Sequence, residues 1–351
     1  MPQSLIDLAF SVQTLNDPTL IEKFGSEAPA SFAQDLFARG AQLEVIKDVA
    51  RWNEVSFSRK PAPFIGKRSP AAVVEGMDFQ AKSAVVCDIR IASNPIPLDE
   101  ITSERAAQNA LASENRDKRG RLRISRELLA WQVLKGSVDI SATTVPGSKV
   151  TFAYTQAVTG LAPLASWATA STAIASSELD NLATVYHDAC GLQAKRLIVD
   201  NTVHKYLKQN TEIASLYNSD QNPNKERTVY GQAGMSFSLE GYEVDVTRAK
   251  YDKAGTLTKY LGTDGLIALP SDPELAMVLG RAEGFGAIPR EAIGGVDNLS
   301  AMGGLAPQAG EYAYAYTIPE PASVVLVFGW RGLYVLTFPE AVGYDDSVIT
   351  T

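Results

Sequence analysis

Residues 99–136 read DEITSERAAQNALASENRDKRGRLRISRELLAWQVLKG, and the reading of this stretch decides the fold. Thr102 or Ser103 can open a helix by accepting a backbone N–H, and Gly136 can take the left-handed position that closes one. Between them Ile124, Leu128, Trp131 and Leu134 share one broad helical face, while Leu129 and Val133 form a second stripe opposite. A helix apolar on two sides must be covered twice, so Trp131 and Leu128 are expected in a core. Gly120 follows a polar run and predicts a bend or break. The basic cluster Arg116, Lys118, Arg119, Arg121, Arg123 and Arg126 reads as a solvated helix face or as a partner for acidic groups on another subunit. Glu114 with Lys118, Asp117 with Arg121 and Arg123 with Glu127 are spaced as i,i+4 ion pairs, each contributing about 0.2–0.5 kcal/mol.

Before this helix the chain has two characters. In the first fifty residues Leu5 to Phe10 and Phe32 to Phe37 are short apolar groupings separated by Pro18, Gly25 and Pro29, which predicts an arm with brief helices. Such a segment is ordered by packing on its own core or a neighbour's. From Arg51 to Pro97, Val55 and Phe57 alternate with polar positions; Pro61, Pro63, Gly66, Pro70 and Gly76 then punctuate the run. Val85, Cys87, Ile89 and Ile91 alternate again. Two β-arms joined by an irregular tip produce this pattern, and an unsupported two-stranded extension is marginal in water.

After Gly136, Val138 and Ile140 precede a Pro146-Gly147 turn and a strand through Val150, Phe152 and Tyr154. Ser177 and Asp180 suggest a capping box opening a helix through Leu179, Leu182, Tyr186 and Ala189 that closes at Gly191. Leu197 to Val199 reads as a strand, followed by a helix through Val203, Tyr206 and Leu207. Strands are expected at Phe237–Leu239 and Tyr242–Val246, with Gly241 as a turn or bulge, and again at Leu266–Leu269. Leu275 to Leu279 reads as a buried strand. The glycines from Gly280 to Gly310 read as loops. Tyr312, Tyr314 and Tyr316 share one strand face, and Val324–Phe328 and Leu333–Leu336 read as two final strands.

Composition narrows the function classes. The 351 residues have room for two or three domains, or for one core carrying long extensions, and the net charge of -8 argues against a broad nucleic-acid-coating surface. No run approaches 18 apolar residues, and MPQSLIDLAF lacks the basic region and cleavage site of a secretion signal. A reducing compartment is therefore expected, with Cys87 and Cys190 as buried free thiols. His187 and His204, the only two histidines, give no zinc-site spacing. There is no GxGxxG opening a helix, no Walker loop, no HExxH and no GxSxG. Both histidines read as structural or surface residues, Asp345 and Asp346 as solvated terminal charge, and the three tyrosines as protein packing. No catalytic, cofactor or metal residue is expected.

Several stretches, in order, resemble the lambda-type (E-type) tailed-phage major capsid proteins, which have the HK97 fold. APFIGKRSPAAVVEGMDFQAKSAVVCDIRIASNPIP is similar to the family's loop-and-return segment, and ELLAWQVLKGSVDI to the end of its spine helix with the following strand. YGQAGMSFSLEGYEVDVTRAKYDKAGTLTKYLGTDGLIALP, PELAMVLGRAEG and FPEAVGYDDSVI resemble its later strands and its ending. The similarity runs from about Arg51 to the C-terminus. It implies an α+β, HK97-like fold: an N-terminal arm (1–50), an extended β loop (51–97), and a peripheral domain with the long spine helix (98–160). The main part of an axial α/β domain (161–223) and strands returning to both domains (224–351) complete it.

The function implied is self-assembly, through pentamers and hexamers, into the icosahedral shell that encloses double-stranded DNA in a tailed-phage virion. Assembly would take place in the bacterial host cytoplasm. The partners implied are further copies of the chain, a portal, a scaffold or protease and a decoration protein, with packaged DNA held without sequence recognition and no membrane. Phe57, Phe64, Phe79, Arg116, Arg119 and Arg121 are the expected inter-subunit contacts. Lys67 and Lys82 lie in the loop without a cross-linking signature and read as ordinary charges. The alternatives are an α/β enzyme with a distributed site and the shell protein of a defective prophage or gene-transfer particle.

Overall fold

A computed structural model describes residues 32–46, 48–56, 78–97, 99, 103–169, 173–213, 236–239, 241–285 and 309–349. Its longest helix, the spine helix, is Glu104–Leu134, capped by Ser103, whose hydroxyl accepts from the Ala106 N–H at 3.2 Å. The helix is continuous through Gly120, where no break occurs. A side chain at 120 would meet nothing within 4 Å, so this glycine carries only its propensity cost, about 1 kcal/mol relative to Ala. Gly136 ends the helix at φ 79°, and a Cβ there would lie 2.6 Å from the Gln156 carbonyl oxygen. Both the dihedral and the close approach require glycine.

The two-faced pattern is realised. Leu122, Leu129, Ala130, Trp131, Val133 and Leu134 are buried, whereas Leu128 is only partly covered. One side of the helix lies on a six-stranded sheet whose axis is the 15-residue strand Ala322–Leu336. That strand pairs antiparallel with Leu279–Glu283, Glu311–Pro319, Cys87–Ala92 and Ile96–Pro97, and Ala41–Leu43 adds parallel to Leu279–Glu283. Two final strands were expected here, and the chain forms one. Two glycines lie between the expected strands and are seats for rings: a Cβ at Gly329 would lie 2.3 Å from Tyr312, and one at Gly332 2.3 Å from the Trp330 ring.

A second six-stranded sheet orders Ser236–Leu239, Tyr242–Thr247, Arg196–Asp200, Leu266–Leu269, Gly343–Asp345 and Thr159–Gly160. Every residue of Arg196–Asp200 and of Leu266–Leu269 is buried, which explains their unbroken apolar runs. Helices Ala175–Cys190 and Asn201–Gln209 accompany this sheet. The second is capped by Asp200, which accepts from the Thr202 N–H at 2.7 Å. The first opens at Ile174 without a side-chain cap, three residues before the expected Ser177, and closes at Gly191 with φ 74° as expected. The nearby Glu178 side chain instead accepts from the backbone N–H groups of Leu164 and Ala165, tying down the preceding loop.

The segment read as a buried strand at Leu275–Leu279 is a helix, Asp272–Val278, followed by the strand Leu279–Glu283. The overlooked signal is Ser271-Asp272-Pro273-Glu274, a reciprocal capping box with proline in the first turn. This helix carries the chain from the second sheet back to the first.

Three small ribbons complete the architecture, two of them two-stranded and one, in which Val45–Ile46 also pairs with Val49–Ser56, three-stranded. Val49–Ser56 pairs with Asp78–Val85, Ser137–Ile140 with Phe152–Thr155, and Lys250–Lys253 with Thr256–Lys259. The first is the expected β-arm. Its return strand is shorter than expected, because Cys87–Ala92 joins the first sheet.

Candidate assembly surfaces

The N-terminal helix Phe32–Ala38 is fixed to the spine helix by one carboxylate. Glu127 accepts from the Ala33 N–H at 2.8 Å, the Gln34 N–H at 3.1 Å and the Trp131 indole N–H at 2.8 Å. Burial raises the Glu127 carboxyl above its ordinary value, and these donors oppose the rise. Glu127 is thus committed to the helix N-terminus and its indole neighbour, rather than serving the exposed i,i+4 pair expected with Arg123.

The basic cluster divides between core and surface. Arg119, 1% exposed, pairs with Glu311 at 3.0 Å, donates from its Nε to Asn115 Oδ1 at 2.9 Å and lies over the Phe328 ring. Burial pulls its guanidinium below the ordinary value, and Glu311 counters. Arg126 reaches the same Glu311 and lies over Trp330. Arg119 was expected at a subunit contact, and its own protomer takes it up instead. Lys118 is also largely buried, beside Asp117 and Glu114. Arg116 and Arg121 are exposed, the latter paired with Asp117 at 3.0 Å. The signal for this division was in the heptad: Asn115, Arg119, Leu122 and Arg126 fall on one helical face.

Phe57 and Phe64 lie outside the described residues, as do Lys67 and the tip of the arm. Phe79 stands opposite Val55 in the arm ribbon, and Lys82 sits 3.9 Å from Glu54 across it. Each of the three ribbon regions carries a large exposed apolar residue: Val85 at 60%, Val150 at 73% and Leu257 at 70%. Such ribbons bury little by themselves.

The residues considered for chemistry are scattered. His187 is exposed on helix Ala175–Cys190, 4.0 Å from Asp188; His204 is buried on helix Asn201–Gln209 and pushed down to about 4, by burial first and then by Lys208 and Arg248. Cys87 and Cys190 are buried free thiols, and burial raises Cys87 to about 12. Asp345 is not solvated terminal charge. It is buried, with Oδ1 accepting from the Ser347 N–H and hydroxyl. Tyr312 and Tyr314 are buried and stacked, with the Tyr312 hydroxyl donating to Asp88 at 2.6 Å, while Tyr316 is exposed. Among the described residues no group of three or more acidic, His or Cys side chains is placed to hold a metal, and no helix is long and apolar enough to cross a membrane.

A spine helix clamped on one sheet, a second sheet and a β-arm ribbon are the HK97-like capsid fold. A crystal structure described as a prophage capsid protein of E. coli CFT073 matches with a TM-score of 0.60 at 14% identity, covering 93% of this chain and 97% of that one. A phage-related protein of Bordetella bronchiseptica RB50 matches at TM-score 0.48 and 10% identity, covering 95% and 98%. The SrpI encapsulin of Synechococcus elongatus PCC 7942 matches at 0.48 and 10%, covering 92% and 89%. Comparison with curated proteins gives no match. Residues 27–282, well over half of the chain, match the family described as phage major capsid protein E, and the chain belongs to that family. It is a shell-forming structural protein of the virion, not an enzyme.

Proposed function

We propose that this protein builds the icosahedral head of a tailed bacteriophage, assembling through pentamers and hexamers around double-stranded DNA. The observation that carries the reading is the family match over residues 27–282, which spans both the arm and the spine helix. Closed shells need heterologous contacts repeated by rotation, and many modest contacts sum to a stable assembly. In this reading the first sheet and spine helix are the peripheral domain, the second sheet is the axial domain, and the Val49–Val85 arm is the extended loop laid over a neighbour. Phe57, Phe64, Phe79, Arg116 and Arg121, with Val85, Val150 and Leu257, make the inter-subunit contacts. A portal, a scaffold or protease and a decoration protein are its further partners, in the host cytoplasm. An acidic chain suits this role, since a container need not grip the nucleic acid it encloses.

Sedimentation and negative-stain microscopy of the purified protein test the proposal, with closed particles or rings of five or six subunits expected. A variant with 57–77 replaced by a short turn should keep a folded protomer and lose those particles. A wild-type chain that stays monomeric at all concentrations and salts tested, with and without co-expressed scaffold, would overturn it.

A further inference from the structure

The loop from Leu161 to Trp167 is zipped at both ends to the segment that carries the last strand. The Leu161 N–H donates to the Tyr344 carbonyl at 3.2 Å, and the Trp167 N–H donates to the Val348 carbonyl at 3.0 Å. Midway, the Glu178 carboxylate holds the Leu164 and Ala165 N–H groups. Under this loop, against helix Ala175–Cys190 and strand Leu266–Leu269, lies a cavity that admits a water-sized molecule. Its walls are mostly apolar, with Leu161, Leu182, Leu266 and Val348 among them, and Asp345 and Trp167 line it as well.

Asp345 is 8% and Trp167 7% exposed, and each brings to the cavity one buried polar atom that no described residue satisfies: Asp345 Oδ2 and the Trp167 indole N–H. The other carboxylate oxygen, Oδ1, is already taken by the Ser347 N–H at 2.9 Å and its hydroxyl at 2.8 Å. An adjoining cavity shares the Trp167 and Glu178 walls without such a need. There the buried Asn210 donates from Nδ2 to the Ala173 carbonyl at 2.6 Å, and its Oδ1 accepts from the Glu212 and Ile213 N–H groups. A carboxylate oxygen only accepts and an indole N–H only donates, so the occupant that serves both must do the reverse of each. A cation suits the oxygen but faces the indole proton; an anion suits the indole but meets two carboxylates, Asp345 and Glu178. Water both donates and accepts, and buried water characteristically bonds to polar groups that the protein leaves unsatisfied. We propose that a bound water molecule bridges Asp345 Oδ2 and Trp167 Nε1. It ties the loop to the last strand from inside the cavity, where no direct side-chain bond does so.

The test uses the full-length protomer under non-assembling conditions, so its outcome is independent of shell formation. With the tryptophan indole nitrogens isotope-labelled, the chain gives four indole signals, and the one missing from Trp167→Phe belongs to Trp167. Its indole proton should show NOE and ROE cross-peaks of opposite sign at the water frequency, the signature of a bound molecule rather than of proton exchange. Asp345→Val makes that wall of the cavity apolar, and an apolar cavity stays dry, so both cross-peaks should be lost while the remaining indole signals keep their positions. A density map of the wild-type chain that resolves solvent gives a second reading that needs no folded variant. It should show a peak about 2.7–3.2 Å from both atoms. The bridge would be overturned by the lack of any water cross-peak at Trp167 in the wild type, by unchanged cross-peaks in Asp345→Val, or by a map in which the indole donates directly to Asp345.

Discussion

Arg119 on the spine helix and Glu311 on the first sheet, 192 positions apart, form a buried ion pair at 3.0 Å. Arg126 joins the same carboxylate from about two helical turns further on. Two cations and one anion are thus held where the helix meets the sheet. Breaking a buried pair by removing one partner costs about 3–5 kcal/mol, because the other charge is left in low dielectric. Glu311→Gln should therefore lower protomer stability by about that amount, read as the denaturant midpoint with unchanged slope. A loss below about 1 kcal/mol, the range of exposed pairs, would show that water reaches the cluster.

Trp131 packs between Phe32 and Tyr260 and donates to Glu127. Trp131→Ala should cost about 3–5 kcal/mol through the cavity it leaves. Trp131→Phe keeps much of the ring and strips one donor from a buried carboxylate, so it should cost about 1–3 kcal/mol. The two chemical-denaturation curves should fall in that order.

Two glycines should respond in opposite directions. Gly120→Ala places a methyl group in open space on a helix and should stabilise by about 1 kcal/mol. Gly329→Ala drives a methyl group into the Tyr312 ring and should destabilise by about 1–3 kcal/mol. Thermal melts of the two single variants give the comparison.

Acid stability should depend on His204. Its folded value is about 4 against an ordinary 6.5, so below 6.5 the unfolded chain binds the proton more readily. The stability this residue contributes is complete above pH 6.5 and is lost as pH falls towards 4, amounting to at most about 3 kcal/mol. His204→Gln should flatten the pH dependence of the denaturation midpoint over that interval. His187→Ala, at an exposed site, should leave it unchanged.

The local signals were legible because their causes are local. Ser103 and Gly136 bracket the spine helix, Gly191 marks a helix end, and the apolar runs at Leu197–Val199 and Leu266–Leu269 are buried strands, all set by capping, φ preference and periodicity. The order of arm, two-faced helix and returning strands also carried the family resemblance over most of the chain. The Ser271–Glu274 capping box was equally local and was outweighed by the apolar residues that follow it.

What tertiary structure alone decided depends on partners far away in sequence. A row of arginines on a helix has the same pattern whether water or Glu311 faces it, and only the fold brings Glu311 to Arg119 and Arg126. Glu127 has the spacing of a surface pair with Arg123, yet it binds a helix start that arrives from about ninety residues away. Glycine signals a turn when nothing lies beside it, but at 329 and 332 aromatic rings occupy the Cβ position, and the strand runs straight through. Asp345 reads as terminal charge until the last strand carries it into the second sheet. In each case the residue type fixes what the group can do, and long-range packing fixes which of those things it does.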